Sequence, residues 1–167
     1  RVLFRSKFTS YYIPPKCAVV LKLVPMDKVY GETKQVELNL DYASKNDDGV
    51  IRIKSAGYPM DEVCCDDLAV KAEEEGRSKA IVRGIAARFK ELGYNVGGFD
   101  ATTASQVLSG SGLSSSAAFE VLVCTMLNYL YNDGKVDPVE IAKISQYSEN
   151  VYFGKPCGLL DQMACSV

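Results

Sequence analysis

Periodicity and punctuation along the 167 residues predict an α+β fold. Three observations carry this expectation. Residues 50–54 (Val-Ile-Arg-Ile-Lys) alternate apolar and charged positions, the period of a half-buried strand. Residues 78–92 place Ile81, Ile85, Ala86, Phe89 and Leu92 along one helical stripe. Residues 99–108 read as a further strand, which passes through a Gly/Ser-rich loop into residues 113–131, a segment of helical length whose only charged residue is Glu120.

Taken in order, residues 1–4 are compatible with a strand, 9–15 with an irregular or edge segment, and 16–24 with a buried strand. Residues 25–32 interrupt, with Gly31 as a turn candidate. Residues 35–42 alternate, with Val36, Leu38, Leu40 and Tyr42 on one face. Asn46-Asp47-Asp48-Gly49 is a turn signal, and antiparallel pairing of 35–42 with 50–54 across it is expected. Residues 58–67 read as a loop, where Asp61, Glu62, Asp66 and Asp67 are expected to be solvated, as are residues 71–75. The 78–92 helix closes on Gly93. Asn132-Asp133-Gly134 makes a turn, and Asp137-Pro138 caps and starts another helix. That helix is expected to run to about residue 152, with Ile141, Ile144, Ser148 and Val151 facing the core, and to end at 154–158 around Pro156.

Composition narrows the function. The length suits one domain with a real core, and 47% hydrophobic with 24% charged residues is ordinary for a globular protein. A net charge of −2 shows no basic excess for a nucleic-acid partner. No run reaches the ~18 apolar residues of a membrane span, and the first residues lack a signal-peptide pattern. The six cysteines (17, 64, 65, 124, 157, 165) have no C-x-x-C spacing and there is no histidine, so a zinc site is not expected. Reduced, structural thiols in a cytoplasmic protein are the expectation.

The stretch richest in chemistry is Gly110-Ser111-Gly112-Leu113-Ser114-Ser115-Ser116-Ala117-Ala118. Glycines let backbone N–H groups approach an anion, and a helix start adds unpaired donors and a partial positive charge. Serine hydroxyls donate to phosphate oxygens or serve as neutral ligands of Mg²⁺. Taken alone, such a cluster is more often a turn with an N-cap, and the lysine of a Walker A loop is missing. Two acidic residues downstream stand out. Glu149 lies about 80° from Ile141 at 100° per residue, the edge of the apolar stripe, where a carboxylate either reaches water or has a task. Asp161 stands in the otherwise uncharged Gly158-Leu159-Leu160-Asp161-Gln162-Met163-Ala164, as a cap or as a functional carboxylate.

G-S-G-L-S-S-S-A-A resembles the central phosphate-binding motif of the GHMP kinases, and its triple serine is most similar to the galactokinase branch. S-E-N-x-x-x-G-K-P-C-G-L-L-D-Q-M resembles that branch's segment carrying the metal-binding glutamate and, twelve residues on, the catalytic aspartate. Weaker similarity extends back through Ala80-Ile81-Val82-Arg83-Gly84 to residue 45. The resemblance implies that Gly110, Ser111, Gly112, Leu113, Ser114, Ser115, Ser116 and Ala117 cradle nucleotide phosphates. It implies that Glu149 holds Mg²⁺ with Ser116 (Ser115 being the alternative), that Asp161 is the catalytic base at a sugar C1 hydroxyl, and that Gly158 gives the sugar a backbone contact. It also implies a mixed β-sheet with helices packed on one face, the GHMP kinase N-terminal domain of the ribosomal protein S5 domain 2-like fold.

The departures bear on activity. The family's N-terminal block, P-G-R-x-N-x-x-G-E-H-T-D-Y, has no counterpart in residues 1–44. Arg77-Ser78 stands where an aromatic residue often borders the adenine, and the family's C-terminal domain is expected to be missing from this piece. The expectation is a single domain over residues 1–167, with 1–44 unmatched, belonging to an ATP- and Mg²⁺-dependent galactose kinase and inactive as this piece alone. The alternatives are a non-catalytic ATP- or sugar-binding sensor, another GHMP small-molecule kinase, and a plain phosphate-binding domain. Sugar and ATP are the expected partners, with neither nucleic acid nor membrane.

Overall fold

The computed structural model describes residues 21–23, 36–38, 42–103 and 115–167. Two short strands, β1 (Leu21–Leu23) and β2 (Val36–Leu38), pair antiparallel. A second sheet contains β3 (Tyr42–Lys45), β4 (Val50–Ser55), β5 (Met60–Cys64) and β6 (Phe99–Thr103), in the order β3-β6-β4-β5. The β3–β6 and β4–β5 pairs are antiparallel and β4–β6 is parallel, so this sheet is mixed. Four α-helices accompany it among the described residues: α1 (Ser78–Glu91), α2 (Ser115–Tyr131), α3 (Pro138–Tyr147) and α4 (Leu160–Ser166). None among the described residues is long and apolar enough to cross a membrane.

The two-residue period of the strands decides which face meets the helices. Ile51, Ile53, Val63, Phe99 and Ala101 point inward and join Ile81, Val82, Ile85 and Phe89 of α1 and Val123, Met126 and Leu127 of α2 in one core. On the opposite face Arg52 reaches Asp48, Asp100 and Glu62, all partly exposed. Helix α2 is apolar nearly all round, as a helix surrounded by protein must be. Its buried Asn128 closes the next turn by bonding both the amide and the carbonyl of Val136. Asp137 caps α3 through Val139 N at 2.9 Å, with Pro138 at the first helical position, as expected.

Four readings need correction. The strand before the Asn46–Gly49 turn does not pair with β4, because β6 inserts between β3 and β4 as their common neighbour. A hairpin signal specifies a reversal of direction, and a later strand is free to enter between the arms. Residues 60–64 are strand β5 instead of loop: Val63 is buried against α1, while Asp61 and Glu62 occupy ladder positions on an edge strand. Residues 71–75 are not all solvated, since Glu74 is buried in a two-pronged ion pair with Arg83, whose Nε and Nη2 donate at 2.7 Å each. The strand read at 99–108 is described only to Thr103; residues 104–108 lie outside the described residues, as does most of the Gly/Ser loop.

The fourth correction bears on the site. The helix from Pro138 does not stay α-helical to residue 152. At Ser148 the winding widens into one π-helical turn, Ser148–Phe153, closed by Gly154 in the left-handed conformation (φ 81°), whose N–H donates to the carbonyl of Glu149. A wider turn rotates every following side chain relative to an α-helical count. Val151, expected in the core, is therefore 45% exposed, and Tyr152 is buried in its place. Helix α1 is pressed onto this turn at Gly84, where a Cβ would lie 2.8 Å from the Tyr152 ring and 2.9 Å from Ser148 Cβ.

Candidate active site

The described end of the Gly/Ser segment starts α2. Ser115 is exposed, Ser116 half-buried and Ala117 buried, while Gly110, Ser111, Gly112, Leu113 and Ser114 lie outside the described residues. Ser116 donates through Oγ to Glu149 Oε1 at 3.2 Å, across 33 residues of sequence. Two segments quoted independently from the sequence thus meet at one carboxylate. Glu149 is only 2% exposed, which excludes the reading of a boundary residue reaching water. The buried face of α3 is wider than the Ile141–Ile144 stripe: Ala142 and Ser145 are buried too, and at 100° per residue Glu149 follows them at about 20° and 40°.

Among the described residues Glu149 has three side-chain hydrogen-bond partners. Besides Ser116, Lys155 Nζ donates to Oε1 at 3.2 Å and Gln162 Nε2 donates to Oε2 at 2.9 Å. The carboxylate in turn raises the pKa of the Lys155 ammonium, chiefly through that hydrogen bond. The loop holding Lys155 is tied to the π-helical turn by backbone and side-chain bonds. Lys155 N reaches the Glu149 carbonyl at 3.1 Å, Cys157 N reaches Asn150 Oδ1 at 2.7 Å, and Gln146 Nε2 reaches the Cys157 carbonyl at 3.1 Å.

Behind Glu149 lies a second buried carboxyl. Glu120, one helical turn after Ser116 on α2, is fully buried and accepts from the same Gln162 amide at 3.1 Å. Burial, reinforced by the neighbouring Glu149 charge against the opposing Gln162 bond, raises its pKa to about 8. Its Oε1 and Gln162 Oε1 have no hydrogen-bond partner among the described residues. Burial likewise pushes the nearby Cys157 thiol up to about 12, far from a reactive thiolate. The five described cysteines are free thiols.

Asp161 does not cap α4, whose N-cap is Leu159. It is exposed in the first turn, next in sequence to Gln162, so the amide that grips Glu149 and Glu120 also anchors the segment presenting Asp161. Gly158 is exposed in the preceding loop, with nothing within 4 Å of where a Cβ would stand.

The donor set suits a hard divalent cation held by few protein ligands. Neighbouring oxygens around an octahedral Mg²⁺ at 2.0–2.1 Å lie about 3 Å apart, close to the observed Ser116–Glu149 spacing. No group of three or more His, Cys, Asp or Glu side chains among the described residues could hold an ion unaided. Water and phosphate oxygens would have to complete the shell, as is usual for Mg²⁺. Sequence reasoning passed over Glu120, Lys155 and Gln162. Glu120 carried a legible signal, being the sole charge in α2 and four residues from Ser116; the other two are ordinary surface types until the fold brings them to Glu149.

Comparison with known proteins places the chain in a class. Residues 80–167 match the GHMP kinases N terminal domain, and the chain belongs to that family. Galactokinase of Clostridium tetani is 36% identical over 123 residues, covering 74% of this chain and 31% of that protein. Galactokinase of Streptomyces coelicolor is 40% identical over 124 residues, covering 72% and 31%. Among solved structures, Lactococcus lactis galactokinase complexed with galactose superposes with a TM-score of 0.66 at 27% identity, over 79% of this chain and 35% of that one. The chain therefore spans about a third of the length of these relatives.

Proposed function

We propose that this chain is the phosphate- and metal-handling part of a cytoplasmic galactokinase, which transfers the terminal phosphoryl group of ATP to the C1 hydroxyl of galactose. The observation carrying this reading is the buried Glu149 carboxylate that accepts the Ser116 hydroxyl at 3.2 Å. The galactokinase relatives and the galactose-bound structural neighbour support the choice of sugar.

In this reading Gly110 to Ala117 and the start of α2 offer N–H and hydroxyl donors to the phosphates. Glu149 and Ser116 hold Mg²⁺, which when bound neutralises phosphate charge during transfer. Gln162 orients Glu149 from behind, leaving Oε1 facing Ser116. Asp161, exposed at the start of α4, accepts the C1 hydroxyl proton or aims that hydroxyl for in-line attack. Gly158 leaves its backbone open to the sugar.

The test separates two carboxylates in the full-length protein. Asp161→Asn should lower kcat on the order of 10²-fold or more with nucleotide affinity nearly unchanged. Glu149→Gln should first raise the Mg²⁺ concentration needed for activity, since it removes a hard anionic ligand. Near-normal turnover by Asp161→Asn rules out the base, and an unchanged Mg²⁺ dependence of Glu149→Gln rules out the metal ligand.

A further inference from the structure

Lys155 places a positive charge on the very oxygen that the proposed function assigns to the cation. Its Nζ lies 3.2 Å from Glu149 Oε1, and Ser116 Oγ lies 3.2 Å from the same atom. The other carboxylate oxygen is engaged by Gln162. Glu149 is almost fully buried, and a buried carboxylate requires a compensating charge. Among the described residues, Lys155 is the one cation in contact with Glu149. Its side chain is 62% exposed, so the ammonium reaches in from solvent and is free to swing back out. The backbone beneath it is fixed independently, by Lys155 N to the Glu149 carbonyl and by the left-handed Gly154. The lysine head can therefore leave without unravelling the turn.

A divalent ion bound to Oε1 at about 2 Å would stand close to this ammonium, and the two charges repel. We infer that the Lys155 ammonium is a built-in competitor of the divalent cation, seated on Glu149 Oε1 until the ion displaces it. This rests on the reading of Glu149 and Ser116 as the cation site, and adds a specificity device to it. A monovalent, tethered charge keeps the buried carboxylate compensated and sets a threshold that a free divalent ion must exceed. If the lysine-seated state holds about 90% or more of the population, the apparent affinity for the ion falls about ten-fold or more below its intrinsic value.

The test uses Mn²⁺ alone as the probe, its binding to the chain followed by loss of the free-ion signal in electron paramagnetic resonance, without nucleotide or turnover. Lys155→Met should bind Mn²⁺ about ten-fold more tightly than the unmodified chain. Adding Glu149→Gln should abolish the gain. A purely structural lysine would give unchanged or weaker binding on removal. Equal or weaker binding by Lys155→Met, with Glu149→Gln still weakening the parent chain, overturns the competitor and leaves the cation site standing. Binding that ignores Glu149 in every background overturns both.

Discussion

The contact of α1 with the π-helical turn can be tested with one methyl group. Gly84→Ala would place a Cβ 2.8 Å from Tyr152 Cγ and Cδ2 and 2.9 Å from Ser148 Cβ. Neither neighbour gives way cheaply. Ser148 Cβ is attached directly to the backbone and its hydroxyl bonds the Ser145 carbonyl at 2.8 Å, while Tyr152 is buried with its hydroxyl bonded to the Leu68 carbonyl at 2.9 Å. Overpacking of this kind costs about 1–3 kcal/mol, against roughly 1 kcal/mol gained from alanine's higher helix propensity. With three contacts inside 3 Å the upper part of that range applies, leaving a net loss of about 1–2 kcal/mol. Urea denaturation should show this, and the melting temperature should fall by about 2–8 °C. The displacement pushes on Ser148, the neighbour of Glu149, so Glu149-dependent Mn²⁺ binding should weaken too. Gly158→Ala is the control: no atom stands within 4 Å of its Cβ position, and its stability should match the parent. A Gly84→Ala protein as stable as the parent would refute the close-packing argument.

Two further outcomes follow from buried charges. Folding raises the Glu120 pKa from 4.5 to about 8, so across that window the folded chain keeps a proton that the unfolded chain has lost. Stability should then fall as pH rises, by at most about 1.4 kcal/mol per unit, with Glu149, Asp161 and Lys155 as the charged neighbours; Glu120→Gln should flatten the slope, and parallel curves for the two proteins would disprove the assignment. Arg83→Met leaves the buried Glu74 carboxylate with only the longer Lys79 contact at 3.6 Å and should cost about 3 kcal/mol in chemical denaturation, with Arg83→Met/Glu74→Leu recovering much of it; a single variant no less stable than the parent would contradict the buried pair.

How far the sequence reaches can be read from particular residues. Helices α1, α2 and α3 were legible because their stripes, caps and glycines are local: Ile81 to Phe89, Asp137 with Pro138, Gly93 after Glu91. Strand β4 was legible for the same reason, since alternation is a property of neighbours along the chain. Similarity of two short motifs was enough to name the family and to single out Ser116, Glu149 and Asp161. Only the tertiary structure decided that β6 separates β3 from β4, because strand order depends on segments far apart in sequence. Only it decided that Glu149 is buried, since the helical wheel gives its angle to Ala142 and Ser145 but how wide a face of α3 is covered depends on what packs against it. The same holds for Lys155, Gln162 and Glu120: their residue types are commonplace, and their roles arise from three-dimensional proximity to Glu149, a long-range arrangement that no local pattern encodes.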